Sequence, residues 1–144
     1  MLQKEVGERI IAAPGSKAYG ILSVLIRTCA TVSPLLVLGP GHFHPRPKVD
    51  SLVLRLVFHP PPPPVEGLPD CDQHLLFRLV NAAFQQRRKT LLNALSAGRY
   101  SGLRKPEIER IIRAAAISPS IRAERLTVAD YVRLTLCFQE KLSG

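Results

Sequence analysis

Five consecutive prolines, Pro60 to Pro64, divide this 144-residue chain. Each proline removes a backbone donor and holds φ near −65°, so the run belongs neither to a helix nor to the interior of a sheet. It predicts a polyproline II spacer of about 3.1 Å per residue, without hydrogen bonds of its own. No regular element can cross such a run, so any core must be assembled on one side of it or the other. The expected division is 1–59, a linker over 60–69, and 70–144. The same run could serve as a ligand for an SH3-type groove, but only His59 precedes it as a basic flank.

Before the prolines the pattern mixes strand and helix. Leu2 to Ala13 reads as a strand end running into a helix with Val6, Ile10 and Ala13 at helical spacing, stopped by Pro14-Gly15. Ser16 is a candidate cap for a second helix carrying Tyr19, Leu22, Ser23, Ile26 and Ala30. Val32 to Leu38 predicts a short strand, with Pro34 tolerated near its start or at an edge. Gly39-Pro40-Gly41 then turns the chain into a loop, His42 to Ser51, in which Pro45 and Pro47 force their neighbours into extended backbone. That loop presents Phe43 and runs into Leu52–Phe58, an almost continuous apolar stretch expected to be a strand covered on both faces of an α/β sheet.

Beyond the prolines the periodicity is helical throughout. Asp70 or Asp72 can cap a long helix with Leu76, Leu79, Val80, Ala83, Phe84, Leu91 and Leu95 on one side, and Arg78, Asn81, Gln85, Arg88 and Lys89 opposite. At about 100° per residue, Arg87 falls among the apolar positions, where an unpaired guanidinium is costly. It should meet a carboxylate, a carbonyl or a nucleic acid at the edge of the core. Pro106 suits the first turn of a second helix, with Ile108, Ile111, Ile112 and Ala115 inward. Thr127 with Asp130 forms a capping box for a third, Leu126 and Tyr131 serving as its hydrophobic staple.

Charge narrows the partner. The net charge is +9, most of it arginine, which suits bidentate contact with phosphate and favours nucleic acid. No uninterrupted apolar span or charged-then-apolar leader is present, so neither membrane insertion nor secretion is expected. Cys29, Cys71 and Cys137 are odd in number and widely spaced, which fits neither a metal site nor a disulfide framework. They point to a reducing, cytoplasmic setting, with Cys29 and Cys137 as small core residues. His42 and His44 lack the further ligands that zinc needs, so no metal is expected.

Four blocks then carry a family resemblance. Phe43-x-Pro45-x-Pro47-Lys48-Val49-Asp50-Ser51 resembles the loop before the last sheet strand of the ribosomal RNA adenine dimethyltransferases. Met1-Leu2-Gln3-Lys4-Glu5-Val6-x-x-Arg9 with Ser16-Lys17-Ala18-Tyr19-Gly20, and Ala83 to Leu95 with its Gln-Arg-Arg-Lys-Thr-Leu core, agree with it. Ile117-Ser118-Pro119 followed by Arg122-Ala123-Glu124 and Leu126-Thr127-Val128 resembles the closing signature of that family. The helical block is similar to the small-subunit branch rather than to the Erm resistance methyltransferases.

The resemblance implies the C-terminal part of a Rossmann-like, S-adenosylmethionine-dependent methyltransferase sheet, ending in an antiparallel strand pair and followed by a small helical rRNA-binding domain. It implies transfer of methyl groups to adenines of small-subunit rRNA during ribosome biogenesis, with the assembling small ribosomal subunit as partner. Phe43 corresponds to the aromatic that stacks on the target adenine, and a flipped base needs such a face. The alternative is that it plugs the core beneath the loop. Lys17, Arg46 and Lys48 flank that site as candidate phosphate neutralisers, Arg46 more readily as part of a solvated edge. Asp50 is expected to be structural. Arg87, Arg88 and Lys89 are candidate RNA contacts, with Arg87 turned toward the domain interface. The family's Gly-x-Gly-x-Gly loop, ribose carboxylate and Asn-Leu-Pro-Tyr motif do not occur in this sequence, and Met1 matches the fifth strand of the family's sheet. The isolated chain is therefore expected to be inactive. The rival reading is a non-catalytic RNA-binding or ribosome-assembly module.

Overall fold

The computed structural model describes residues 1–59, 68–98 and 102–144. The polyproline expectation for Pro60–Pro64 lies outside the described residues. The chain clusters into two compact units, Met1–Pro63 and Pro64–Gly144.

The first unit is a three-stranded antiparallel sheet in the order β1-β3-β2, with two helices. β1 (Leu2–Gln3) leads directly into α1 (Lys4–Ile11), followed by α2 (Ile21–Arg27), β2 (Ala30–Leu38) and β3 (Ser51–Phe58). β3 is central, pairing Leu2 with Leu52 on one side and Val37 with Leu52 on the other. Helix α1 lies directly on this strand, because a Cβ added to Gly7 would stand 2.6 Å from Leu52 Cδ2. Only glycine permits that approach. The core here is Ile10, Ala12, Tyr19, Val24, Ala30 and Leu52. Pro34 stands where the β2–β3 register slips between Pro34 and Leu36, on the edge strand of the sheet, as a residue without an N–H should.

Three expectations need correction in this unit. Ser16 does not cap α2; its hydroxyl donates back to Ala13 O at 2.7 Å, and the helix begins after Gly20. The first turn is held instead by buried Ser23, whose Oγ accepts from Gly20 N at 3.1 Å and donates to Arg9 O on α1. β3 is not covered on both faces: within the described residues Leu52 alone in it is buried, while Val57 and Phe58 are 44% and 68% exposed. Cys29 is exposed rather than a core residue; in the second unit Cys137, expected in the core as well, is only half-buried. The helix end carrying Cys29 leaves its thiol over the carbonyls of Leu25 and Ile26 at the surface.

The second unit is helical. It comprises α3 (Gln73–Gln85), α4 (Leu91–Ala97), α5 (Lys105–Ala114) and α6 (Val128–Ser143), with a single 3-10 turn at Ala123–Arg125 before the last. Asp72, of the two candidates, is the α3 cap, accepting from His74 N and Leu75 N at 2.8 and 3.2 Å. The Thr127–Asp130 capping box forms as the sequence requires: Asp130 N donates to Thr127 Oγ1 at 3.1 Å and Thr127 N to Asp130 Oδ2 at 2.8 Å. Ile108, Ile111, Ile112 and Ala115 are buried, as are Leu76, Leu79, Val80, Leu91, Leu95, Leu126, Tyr131, Leu134 and Phe138. The long helix expected from Leu76 to Leu95 is instead two helices, broken over residues 86–90.

Candidate nucleic-acid interface

The break between α3 and α4 places the basic run. Lys89 N donates to Gln86 O at 2.8 Å, so Arg87 and Arg88 are the central residues of a tight turn rather than successive positions around a helix. The geometry comes from farther along the chain. Leu91 N donates to Ile121 O at 2.6 Å and Leu92 N to Pro119 O at 3.2 Å, so the first donors of α4 are taken by the segment leading into α6. Thr90 Oγ1 accepts from Asn93 N at 3.4 Å. With those donors satisfied, a helix can restart at Leu91 at little cost.

Arg87 meets a carboxylate: its Nε donates to Glu124 Oε2 at 3.2 Å. Glu124 belongs to the 3-10 turn of the same helical unit, so this contact is internal to that unit and is not the domain-interface contact expected for Arg87. The turn bearing Glu124 is anchored from below by buried Tyr131, whose hydroxyl donates to Ala123 O at 3.0 Å and whose ring stacks on Phe84 with centroids 6.2 Å apart. Phe84 and Tyr131 thereby tie α3 to α6 beneath the basic turn. The side chains of Arg88 and Lys89 are exposed and make no hydrogen bond or ion pair among the described residues.

Two further cations, Arg122 and Arg125, are exposed on the segment that the Leu91–Ile121 and Arg87–Glu124 contacts hold beside this turn. Helical periodicity does not single them out. The Arg-Ala-Glu-Arg-Leu-Thr string before a strong N-cap was the available signal, since it places them just outside a helix whose start is fixed.

The loop between β2 and β3 carries the other candidate residues. A single 3-10 turn, Pro40–His42, is closed by His42 N to Gly39 O at 3.2 Å and Phe43 N to Pro40 O at 3.3 Å. Phe43 then leaves in extended backbone, φ −127° and ψ 147°, with its ring half-buried. The His44–Pro45 peptide is cis. His42, His44, Arg46 and Lys48 are exposed. Asp50 closes the loop structurally: its carbonyl accepts from Lys4 N at 2.9 Å, and its carboxylate lies 3.8 Å from Lys4 Nζ.

Lys17 stands on the turn between α1 and α2, at a pocket of about 230 Å³ lined with Glu5, Glu8, Arg9 and Ala18. The 39–50 loop contributes no residue to the lining of that pocket. The lining of this pocket does not fit S-adenosylmethionine. The pocket pairs two carboxylates with two cations and has no aromatic wall or glycine cradle, and the close-approach glycine, Gly7, is filled by Leu52. Asp50 is engaged by Lys4. Two thiols are subdued: burial, then the carboxylates of Asp72 and Asp70, push Cys71 above its usual range, and burial, then Glu140, does the same for Cys137. Neither thiol has the character of a nucleophile.

The features to compare with known proteins are a small antiparallel sheet with two helices, a proline-stiffened loop, and a helical unit with a cationic turn. The family model for ribosomal RNA adenine dimethylase matches residues 1–139, and the chain belongs to that family. Among curated relatives, it is 41% identical over 150 residues to ribosomal RNA small subunit methyltransferase A of Desulfotalea psychrophila, covering 99% of this chain and 50% of that protein. The protein of the same name from Xanthomonas axonopodis pv. citri is 48% identical over 134 residues, covering 93% of this chain and 47% of its own. The chain thus spans about half the length of the curated relatives it matches. A dimethyladenosine transferase from Plasmodium falciparum shares the fold with a TM-score of 0.78 at 22% identity, over 96% of this chain and 55% of that one. The 23S rRNA methyltransferase ErmE is more distant, with a TM-score of 0.56 at 17% identity over 95% of this chain and 52% of its own. The names of the relatives agree with the small-subunit branch read from the helical block.

Proposed function

We propose that this chain is the target-side part of a small-subunit rRNA adenine N6,N6-dimethyltransferase that acts in the cytoplasm during ribosome biogenesis. Its helical unit docks on rRNA through Arg88 and Lys89, with Arg122 and Arg125 beside them. Arg87 shapes the turn through Glu124 and reaches RNA only secondarily. Phe43 stacks on the extruded adenine, whose base must leave its helix before its exocyclic amine can be methylated. Lys48, and at greater remove Lys17, neutralise phosphates near the target. The methyl donor, S-adenosylmethionine, is bound by residues that this chain does not contain, and no step is assigned to the chain's own residues in holding it. No helix among the described residues is long and apolar enough to cross a membrane.

The observation that carries the reading is the tight turn at Gln86–Lys89, which leaves Arg88 and Lys89 exposed and, among the described residues, unpaired, while Arg87 is tied down. Two unpaired cations fixed at a turn cost stability through mutual repulsion unless an anion is their partner.

The test has two arms. Titration of the chain alone with S-adenosylmethionine should show no saturable binding, whereas small-subunit rRNA should bind with steep salt dependence. Supplying the N-terminal half of the Desulfotalea relative in trans should then restore dimethyladenosine formation in that rRNA, read by mass spectrometry. A chain that binds rRNA but restores no methylation with any complementing half would favour the non-catalytic assembly module.

A further inference from the structure

The outer face of α3 carries a feature that the basic turn does not explain. His74, Phe77, Arg78, Asn81 and Gln85 fall within a stripe about 100° wide on the side opposite buried Leu75, Leu76, Leu79, Val80, Ala82 and Ala83. Phe77 in that stripe is 53% exposed. A phenylalanine ring left in water on an otherwise well-patterned helix gives up about half of its burial free energy. The stretch of sequence around it is also biased. From Gln73 to Pro106 the sequence contains no Asp or Glu, while Arg78, Arg87, Arg88, Lys89, Arg104 and Lys105 all fall in that interval. The nearest carboxylate along the helix, Asp72, is engaged as its cap by His74 N and Leu75 N. Asn81 Nδ2 donates to Phe77 O at 2.8 Å, which leaves its carboxamide oxygen as an acceptor on the same face.

We infer that this face of α3 is a second RNA-docking surface, on which Phe77 stacks against an unpaired base while the flanking cations meet the adjoining phosphates. The inference rests on the rRNA reading above and adds to it the form of RNA recognised: a loop or bulge with an unstacked base rather than continuous duplex. An exposed aromatic in a stretch of sequence rich in cations and without acids suits a ligand that offers both a π-face and negative charge, and single-stranded RNA offers both. A-form duplex buries its base faces and would meet the cations alone. A protein partner would have to supply an acidic surface and an apolar pocket together, which makes it the less economical occupant.

The chain contains no tryptophan, so Phe77→Trp introduces a single reporter. The probes are a stem-loop RNA with an unpaired loop and a blunt RNA duplex of equal length. Stacking predicts quenched tryptophan emission with the stem-loop and little change with the duplex. Phe77→Ala should weaken stem-loop binding about tenfold, leave duplex binding within about twofold, and keep the slope of log affinity against log salt unchanged. Its melting temperature should match the parent's, since the ring is half in solvent. If the parent binds both RNAs with salt dependence but Phe77→Ala changes neither, the inference fails and the function proposed above stands. If the parent binds neither RNA, both fail. If Phe77→Ala spares deproteinised RNA but weakens association with small-subunit particles, the surface docks protein, and the inference is again overturned.

Discussion

Separating the three cations of the Gln86–Lys89 turn gives the most direct measurement of what the turn does. Each phosphate contact displaces condensed counterions and contributes about 0.7 to 0.9 to the slope of log affinity against log salt, the lower value for single strands. Arg88 and Lys89 have exposed, unpaired side chains, so replacing both with alanine should reduce that slope by about 1.4 to 1.8. Between 50 and 200 mM salt the double variant should therefore lose about tenfold less affinity than the parent loses. Arg87→Ala behaves differently, because Arg87 Nε lies 3.2 Å from Glu124 Oε2, with the two side chains 44% and 27% exposed. An ion pair so open to solvent is worth about 0.2 to 1 kcal/mol, a few degrees of melting temperature in a unit of this size. Glu124→Gln should destabilise by a similar amount, and the two changes together by less than their sum. Filter binding across a salt series and thermal denaturation read the two effects apart. An unchanged slope for the double variant would refute the assignment of Arg88 and Lys89, and equal slope losses for all three single variants would show that the ion pair does not distinguish Arg87.

Three other outcomes follow from the same geometry. In the enzyme completed by an N-terminal half, Phe43→Ala should slow single-turnover methylation by about tenfold to a hundredfold while Phe43→Tyr stays close to the parent; because the ring is only half-buried, the alanine variant should lose less than the ~3–5 kcal/mol of a filled core position. Tyr131→Phe should cost about 0.5 to 1.5 kcal/mol by denaturant titration, since Ala123 O keeps its bond from Leu126 N at 3.2 Å, whereas Tyr131→Ala should cost about 3 to 5 kcal/mol. Glu107 is held below the usual carboxylate range by Arg104, first through the Arg104 backbone N–H at 2.9 Å and then through its side chain, so its contribution is present above the unfolded carboxylate pKa and lost as pH falls through the lowered folded value; Glu107→Gln should flatten that acid limb in a stability-versus-pH series.

The sequence by itself determined the local features. Asp72 and Thr127 with Asp130 mark helix starts through bonds that span three residues or fewer, Pro106 does so through its fixed φ and missing N–H, and the apolar faces of α3, α5 and α6 follow from spacing alone. It also contained the blocks by which the family was recognised, and the pairing need of Arg87, because a guanidinium among apolar positions requires a partner wherever the chain goes. Tertiary structure decided which partner that was and what shape the chain took around it. The periodicity of Leu76 to Leu95 is compatible with one unbroken helix. The break occurs because Ile121 O and Pro119 O, about thirty residues onward, capture the first donors of α4, and no window on the local sequence contains that competition. The same applies to Ser16, whose hydroxyl turned back to Ala13 O while Ser23 joined α2 to Arg9 on α1. It applies also to β3, whose apolar run reads as doubly covered but meets a helix, among the described residues, on the Leu52 side. Composition specifies how much apolar surface a strand offers, whereas which of its faces is buried depends on what other elements bring to it.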